Sequence, residues 1–142
     1  MLIGLLLSVV MAMICVLIHA EALAIVEKYT VRLGGVRRQL VAIWGLLLSA
    51  HVLEVWLYAG AYWAAEHFAW GQLVGIDGTV DYLYFSAVVY TTLGFGDIVP
   101  VDSVRLLAGS QALVGLCLIA WSATATYAQV NARTASRGDH SR

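Results

Sequence analysis

Three apolar runs, each long enough to cross a bilayer, leave this chain few folds to choose from. They occupy residues 2 to 26, 39 to 65 and 103 to 129. A helix needs about 20 mostly apolar residues to span the hydrocarbon layer. Inside lipid every backbone amide and carbonyl must be satisfied by the chain itself, so a run of this kind is helical. The composition agrees. The chain is 61% hydrophobic and 12% charged, where soluble domains carry about 25% charged residues. The expected fold is therefore an all-α membrane protein whose first partner is the lipid bilayer. With a formal net charge of −1, no nucleic-acid partner is expected.

Charge then orients the runs. No Lys or Arg precedes the first one, so it lacks the basic start of a signal peptide and reads as a retained helix. His19 and Glu21 fall near its end, where they are expected close to the interface. Residues 27 to 38 carry Lys28, Arg32, Arg37 and Arg38, with Gly34-Gly35 as a turn. Arg133, Arg137 and Arg142 lie in the polar tail. Positive charge in short loops marks the cytoplasmic side. Three spans satisfy both clusters if the N-terminus is outside and the C-terminus cytoplasmic, which is a multi-pass protein of the cell membrane. Trp63 and Trp70 suit the outer interface. Cys15 and Cys117 lie in separate apolar runs and read as two buried thiols. The tail, 131 to 142, is expected to be disordered. The chain thus divides into 1–38 (a first helix and a basic loop), 39–130, and 131–142.

The chemistry is concentrated in Thr91-Thr92-Leu93-Gly94-Phe95-Gly96-Asp97-Ile98-Val99-Pro100. A cation stripped of water needs a cage of oxygens, and rings of backbone carbonyls can supply one. Gly94 and Gly96 can take positive φ without a Cβ clash, which lets successive carbonyls point one way. Thr92 adds a hydroxyl and Asp97 an outer carboxylate. Taken in isolation, a glycine-rich turn in a membrane protein is the competing interpretation. The preceding stretch, 67 to 80, reads as an outer loop with Gly71, Gly75 and Gly78. Asp77 or Thr79 is placed to cap the next helix, and Asp81 to sit in its first turn.

This string resembles the selectivity filter of potassium channels, whose core is Thr-Val-Gly-Tyr-Gly-Asp; here Leu93 replaces the Val and Phe95 the Tyr. Asp81 to Tyr90 is similar to the short pore helix that precedes such filters. The resemblance covers roughly residues 40 to 130 and leaves the first run outside it. It implies an outer helix, a re-entrant pore helix with its filter, and an inner helix, assembled as a homotetramer around a central pore; the first run adds an extra helix, which makes three transmembrane helices. It implies K+ bound by Thr92, Leu93, Gly94 and Phe95, with Thr91, Gly96 and Asp97 in support. No cofactor is expected beyond K+ as the transported ion. There is no internal repeat, so one filter sequence must be multiplied by oligomerisation.

Two further features bear on gating. Gly115 falls where inner helices of potassium channels often carry a hinge glycine; close helix packing explains such a glycine equally well. Leu116, Ile119, Ala123 and Tyr127 come after it at helical spacing as candidate cavity-lining residues. In the second run, His51, Glu54 and Tyr58 share a helical face near mid-membrane. Ionisable groups at that depth are costly and usually face protein or a wet cavity. Burial disfavours the charged carboxylate, and Glu54 is read either as a structural contact satisfied by His51 or Tyr58, or as a proton-sensitive group behind the pore helix. A poorly selective cation channel and a non-conducting accessory subunit are the alternatives. An enzyme is not expected, since no nucleophile–base pair or metal-ligand cluster stands out.

Overall fold

In the computed structural model the described residues are 2–30, 33 and 35–139. Arg32, Gly34 and Arg142 lie outside them, as do the side chains of Arg133 and Arg137. Four helices and one small sheet make up the described chain. Helix α1 covers Leu2–Thr30 and α2 covers Val36–His67. Next come strand β1 (Gly71–Val74), helix α3 (Thr79–Tyr90) and strand β2 (Val99–Asp102), and α4 covers Val104–Asp139.

Three of these helices, α1, α2 and α4, are long and apolar enough to cross a membrane. Less than a third of the most apolar window of each is buried within the chain. The remainder, including Leu5, Val9, Val41, Leu48, Val52 and Leu113, is exposed. That is far more contiguous apolar surface than a protein in water carries, and it identifies a membrane protein.

The helices pack with alternating direction. Helix α1 begins beside the sheet, with Gly4 against Ser103. It then runs along both α2 and α4. Its far end packs on α2 through Val26, Ile43 and Leu47. The main core joins Cys15 of α1, Tyr58 and Tyr62 of α2, Phe85 of α3, and Leu107 and Leu118 of α4. The first helix therefore shares its core with the segment 39–130. Phe85 meets Tyr62 edge-on at 5.0 Å between ring centroids.

Within 67–80 the chain departs from the expected loop. Residues 71–74 pair antiparallel with 99–102, Gly71 opposite Asp102 and Val74 opposite Val99. Gln72-Leu73-Val74 and Val99-Pro100-Val101 are each too short to signal a strand alone; they become strands because the fold returns the chain beside itself. Neither Asp77 nor Thr79 caps α3. The N-cap is Gly78, and the Asp81 carboxylate reaches back to accept from the amides of Asp77 and Gly78 at 2.8 and 2.9 Å. An acidic group there also suits the positive end of the helix dipole.

The tail is a second correction. Helix α4 continues to Asp139, so the stretch expected to be disordered is helical over most of its length. Ala is the strongest helix former, the tail carries two, and extending an existing helix avoids the cost of nucleation. Cys15 is buried as expected, whereas Cys117 is exposed on α4.

Candidate functional site

Helix α3 is wedged between α2 and α4 by a buried polar chain. Tyr62 donates to Gln111 Oε1 at 2.6 Å, and Gln111 Nε2 donates to Ser86 Oγ at 2.7 Å. Ser86 in turn donates to the Val55 carbonyl at 2.7 Å. In a medium without water each of these groups needs its partner, so the chain fixes the height and rotation of α3. Tyr82 adds a bond to Glu66 Oε2 at 2.6 Å. Burial, reinforced by that acceptor, pushes the Tyr82 hydroxyl up to about 12.

The end of α3 sets the backbone of the segment beyond it. Leu93 N–H donates to the Val88 carbonyl and Thr92 N–H to the Val89 carbonyl, both at 3.0 Å. Together with Thr92 at φ 60°, this is the Schellman arrangement that closes a helix with one left-handed residue. Glycine normally fills that place. A β-branched residue there is rare and stores of order 1–3 kcal/mol of strain, a feature that clusters at functional sites.

Gly94 and Gly96 then take φ 59° and 82°. Positive φ at 92, 94 and 96 alternates with ordinary backbone at 93 and 95. An extended strand turns successive carbonyls to opposite sides; reversing every second residue turns them toward one side. The sequence anticipated Gly94 and Gly96. It did not anticipate Thr92, because only the closing of α3 requires a left-handed residue there.

Residues 91 to 97 are all exposed within the single chain, Leu93 and Phe95 by about two thirds. The Thr91 hydroxyl turns back to the Ala87 carbonyl at 2.7 Å. Tyr84 donates to Asp97 Oδ2 at 2.6 Å. That bond holds the Asp97 carboxyl below the usual carboxylate range. Tyr84 was not singled out in the sequence, because its contact runs across the turn between α3 and β2.

Behind the start of this segment lies a second cluster, drawn from all four helices. His19 Nδ1 is 3.0 Å from Glu54 Oε1, and His19 Nε2 is 2.9 Å from Ser122 Oγ. Ser122 Oγ is 3.1 Å from His51 Nε2, and His51 Nδ1 is 2.7 Å from the Tyr90 hydroxyl. Tyr90 closes the ring with a short bond to Glu54 Oε2. These five contacts need five protons. One carboxyl, one phenol, one hydroxyl and two neutral imidazoles supply one each, so the net-neutral ring satisfies every group. Neutrality matters because an uncompensated charge at this depth is expensive.

His51 and Glu54 thus come together as their spacing implied, with Nδ1 3.3 Å from Oε2. Tyr58 does not join them; its buried hydroxyl has no hydrogen-bond partner among the described residues. His19 is a correction. It was expected near the interface, yet it is fully buried. Helix α1 runs on to Thr30, which moves His19 well inside the bundle. Ser122 and Tyr90 were missed because a lone serine or tyrosine in an apolar run carries no signal of its own.

Gly115 is explained by contact. A Cβ there would overlap the Tyr90 carbonyl oxygen and lie 3.0 Å from its carbon and 3.1 Å from its Cγ. Helix α4 passes unbroken through this position, so the glycine permits a close approach to α3. Leu116, Ile119 and Tyr127 remain exposed on α4. Ile119 and Ala123 face a lateral cavity of about 500 Å³ that also contacts Trp44, Trp56, His51 and Tyr90.

The comparisons with known proteins come to one match. The model of a family described as "Ion channel" matches residues 50–131, more than half of the 142-residue chain. Searches of curated proteins and of solved structures give no match. The matched stretch takes in most of α2, the sheet, α3, the Thr91–Asp97 turn and the span of α4, and on that extent the chain belongs to the ion channel family.

Proposed function

We propose that this protein is a potassium-selective channel subunit that assembles as a homotetramer around one central pore. In this reading α3 is the pore helix of a re-entrant loop, and Thr92, Leu93, Gly94 and Phe95 present their carbonyls to K+. The observation that carries it is the alternation of positive φ at Thr92, Gly94 and Gly96. One strand supplies one wall of oxygens, and closed cyclic symmetry turns one wall into a cage. The exposure of the whole segment supports this, since in a tetramer it faces the pore and its neighbours. The C-terminal end of α3 adds a partial negative charge that favours a cation nearby. Asp97, held by Tyr84, stands at the outer mouth. The N-terminus and the sheet are then outside, and the basic residues after α1 and at the end of α4 are cytoplasmic. Gly115, His51 and Glu54 bear on gating through Tyr90, two residues before Thr92.

The test is reconstitution of the purified protein in liposomes with K+ and Na+ gradients, alongside cross-linking in mild detergent. Selective K+ flux and cross-linking that stops at four chains are expected. Equal K+ and Na+ flux would identify a poorly selective cation channel. A protein that assembles but passes no current would be an accessory subunit.

A further inference from the structure

The five-membered ring behind the Thr91 segment has the makings of more than a hydrogen-bond network. We propose that His19, His51 and Glu54 form a binding site for a divalent transition ion of the zinc class, with the Tyr90 oxygen as fourth ligand. The ligand types are those of borderline ions, which favour imidazole together with a carboxylate. The three donors lie within 4.8 Å of one another. A tetrahedral ion at ~2.0–2.1 Å from each ligand sets its ligands about 3.4 Å apart. The Nδ1 atoms of His19 and His51 stand 3.0 and 3.3 Å from the two Glu54 oxygens. Tyr90 Oη lies 2.7 Å from His51 Nδ1.

The surroundings supply what such ligands need. A metal-bound imidazole usually donates its other N–H to an oxygen that fixes the ring. Here the Nε2 atoms of both histidines converge on one hydroxyl, Ser122 Oγ, at 2.9 and 3.1 Å. The ion binds on the Nδ1 side, and Ser122 holds both imidazoles in register from the other. Charge balances as well. A divalent ion beside one carboxylate and one phenolate is net neutral, so loading exchanges the Glu54 and Tyr90 protons for the metal and leaves no naked charge in the membrane. On one side His51, Tyr90 and Ser122 also border the lateral cavity. A loaded site ties α1 and α2 to the last residue of α3, directly ahead of Thr91. The first helix, outside the family match, then contributes a ligand of its own.

Binding is measured without transport, so this proposal and potassium selectivity stand or fall separately. The intact protein in detergent is titrated with Co2+, which shows an intense visible absorption when tetrahedral. One Co2+ per chain is expected, displaced by Zn2+ and unaffected by Mg2+. His19→Gln and His51→Gln should each abolish the band or weaken binding at least ~100-fold, and Ser122→Ala should weaken it ~10–100-fold. His67→Gln, at the far end of α2, serves as the control and should change nothing. If the buried variants fail to assemble, X-ray absorption at the zinc edge of the wild-type protein decides, since it must report two imidazole ligands with oxygen neighbours. No tetrahedral band in the wild type, a band that survives both His19→Gln and His51→Gln, or one lost in His67→Gln would overturn the site.

Discussion

Replacing Gly115 with Ala adds one methyl group to the middle of α4, and two effects oppose each other. In an open helix position Ala is more favourable than Gly by about 1 kcal/mol. At Gly115 the new Cβ would overlap the Tyr90 carbonyl oxygen and press on its carbon at 3.0 Å. Those are backbone atoms at the end of α3, held by the Schellman bonds and by the ring through the Tyr90 side chain, so they cannot swing aside. Overpacking of this kind costs typically 1–3 kcal/mol. Because the obstacle is backbone, the upper part of that range applies, and Gly115→Ala should be destabilising by about 1–2 kcal/mol net. Gly109→Ala on the same helix is the control, since its Cβ meets nothing within 4 Å; it should be neutral or stabilising by up to about 1 kcal/mol. The two variants should therefore differ by about 1–3 kcal/mol in equilibrium unfolding in detergent. The pressure falls on the residue before Thr91, so K+ flux should fall as well. Equal stability of the two variants would refute the packing argument. A change in flux alone, with stability intact, would restore the hinge reading of Gly115.

Gly94→Ala places a Cβ at φ 59° and should abolish K+ over Na+ selectivity in liposome flux; wild-type selectivity would contradict the assignment of Gly94. The Tyr84 bond keeps the Asp97 carboxyl below its ordinary range. The stabilisation it brings is present above the unfolded value of about 3.9 and is lost as pH falls through the lower folded value. Tyr84→Phe should thus raise the Asp97 midpoint toward the ordinary value, read as an upward shift in the acid titration of external K+ conduction; an unmoved titration would show that Tyr84 does not hold Asp97. Glu54→Gln cannot carry the same protons between His19, His51 and Tyr90, so any response of the K+ current to internal or external pH should change in it; a wild-type response retained in Glu54→Gln would rule out Glu54 as the sensor.

Features that depend on local pattern were legible in the residues alone. The three spans come from apolar runs, because lipid leaves no other way to satisfy the backbone; the structure extends the first two by a few residues and carries the third on to Asp139. Asp81 to Tyr90 read as a short helix, and Thr79–Tyr90 is one. Gly94 and Gly96 announced their positive φ because glycine adopts it freely. His51 and Glu54 announced their shared face through helical spacing. Relations between distant parts were settled by packing instead. The sheet exists because the fold brings 71–74 beside 99–102. Thr92 is left-handed because α3 must end there, whatever its side chain prefers. Gly115 serves a contact with Tyr90 that no spacing in α4 reveals. The ring of His19, His51, Glu54, Tyr90 and Ser122 assembles across as many as 103 positions of chain. A single polar residue in an apolar run shows that it needs a partner, but the partner is chosen by how the helices pack.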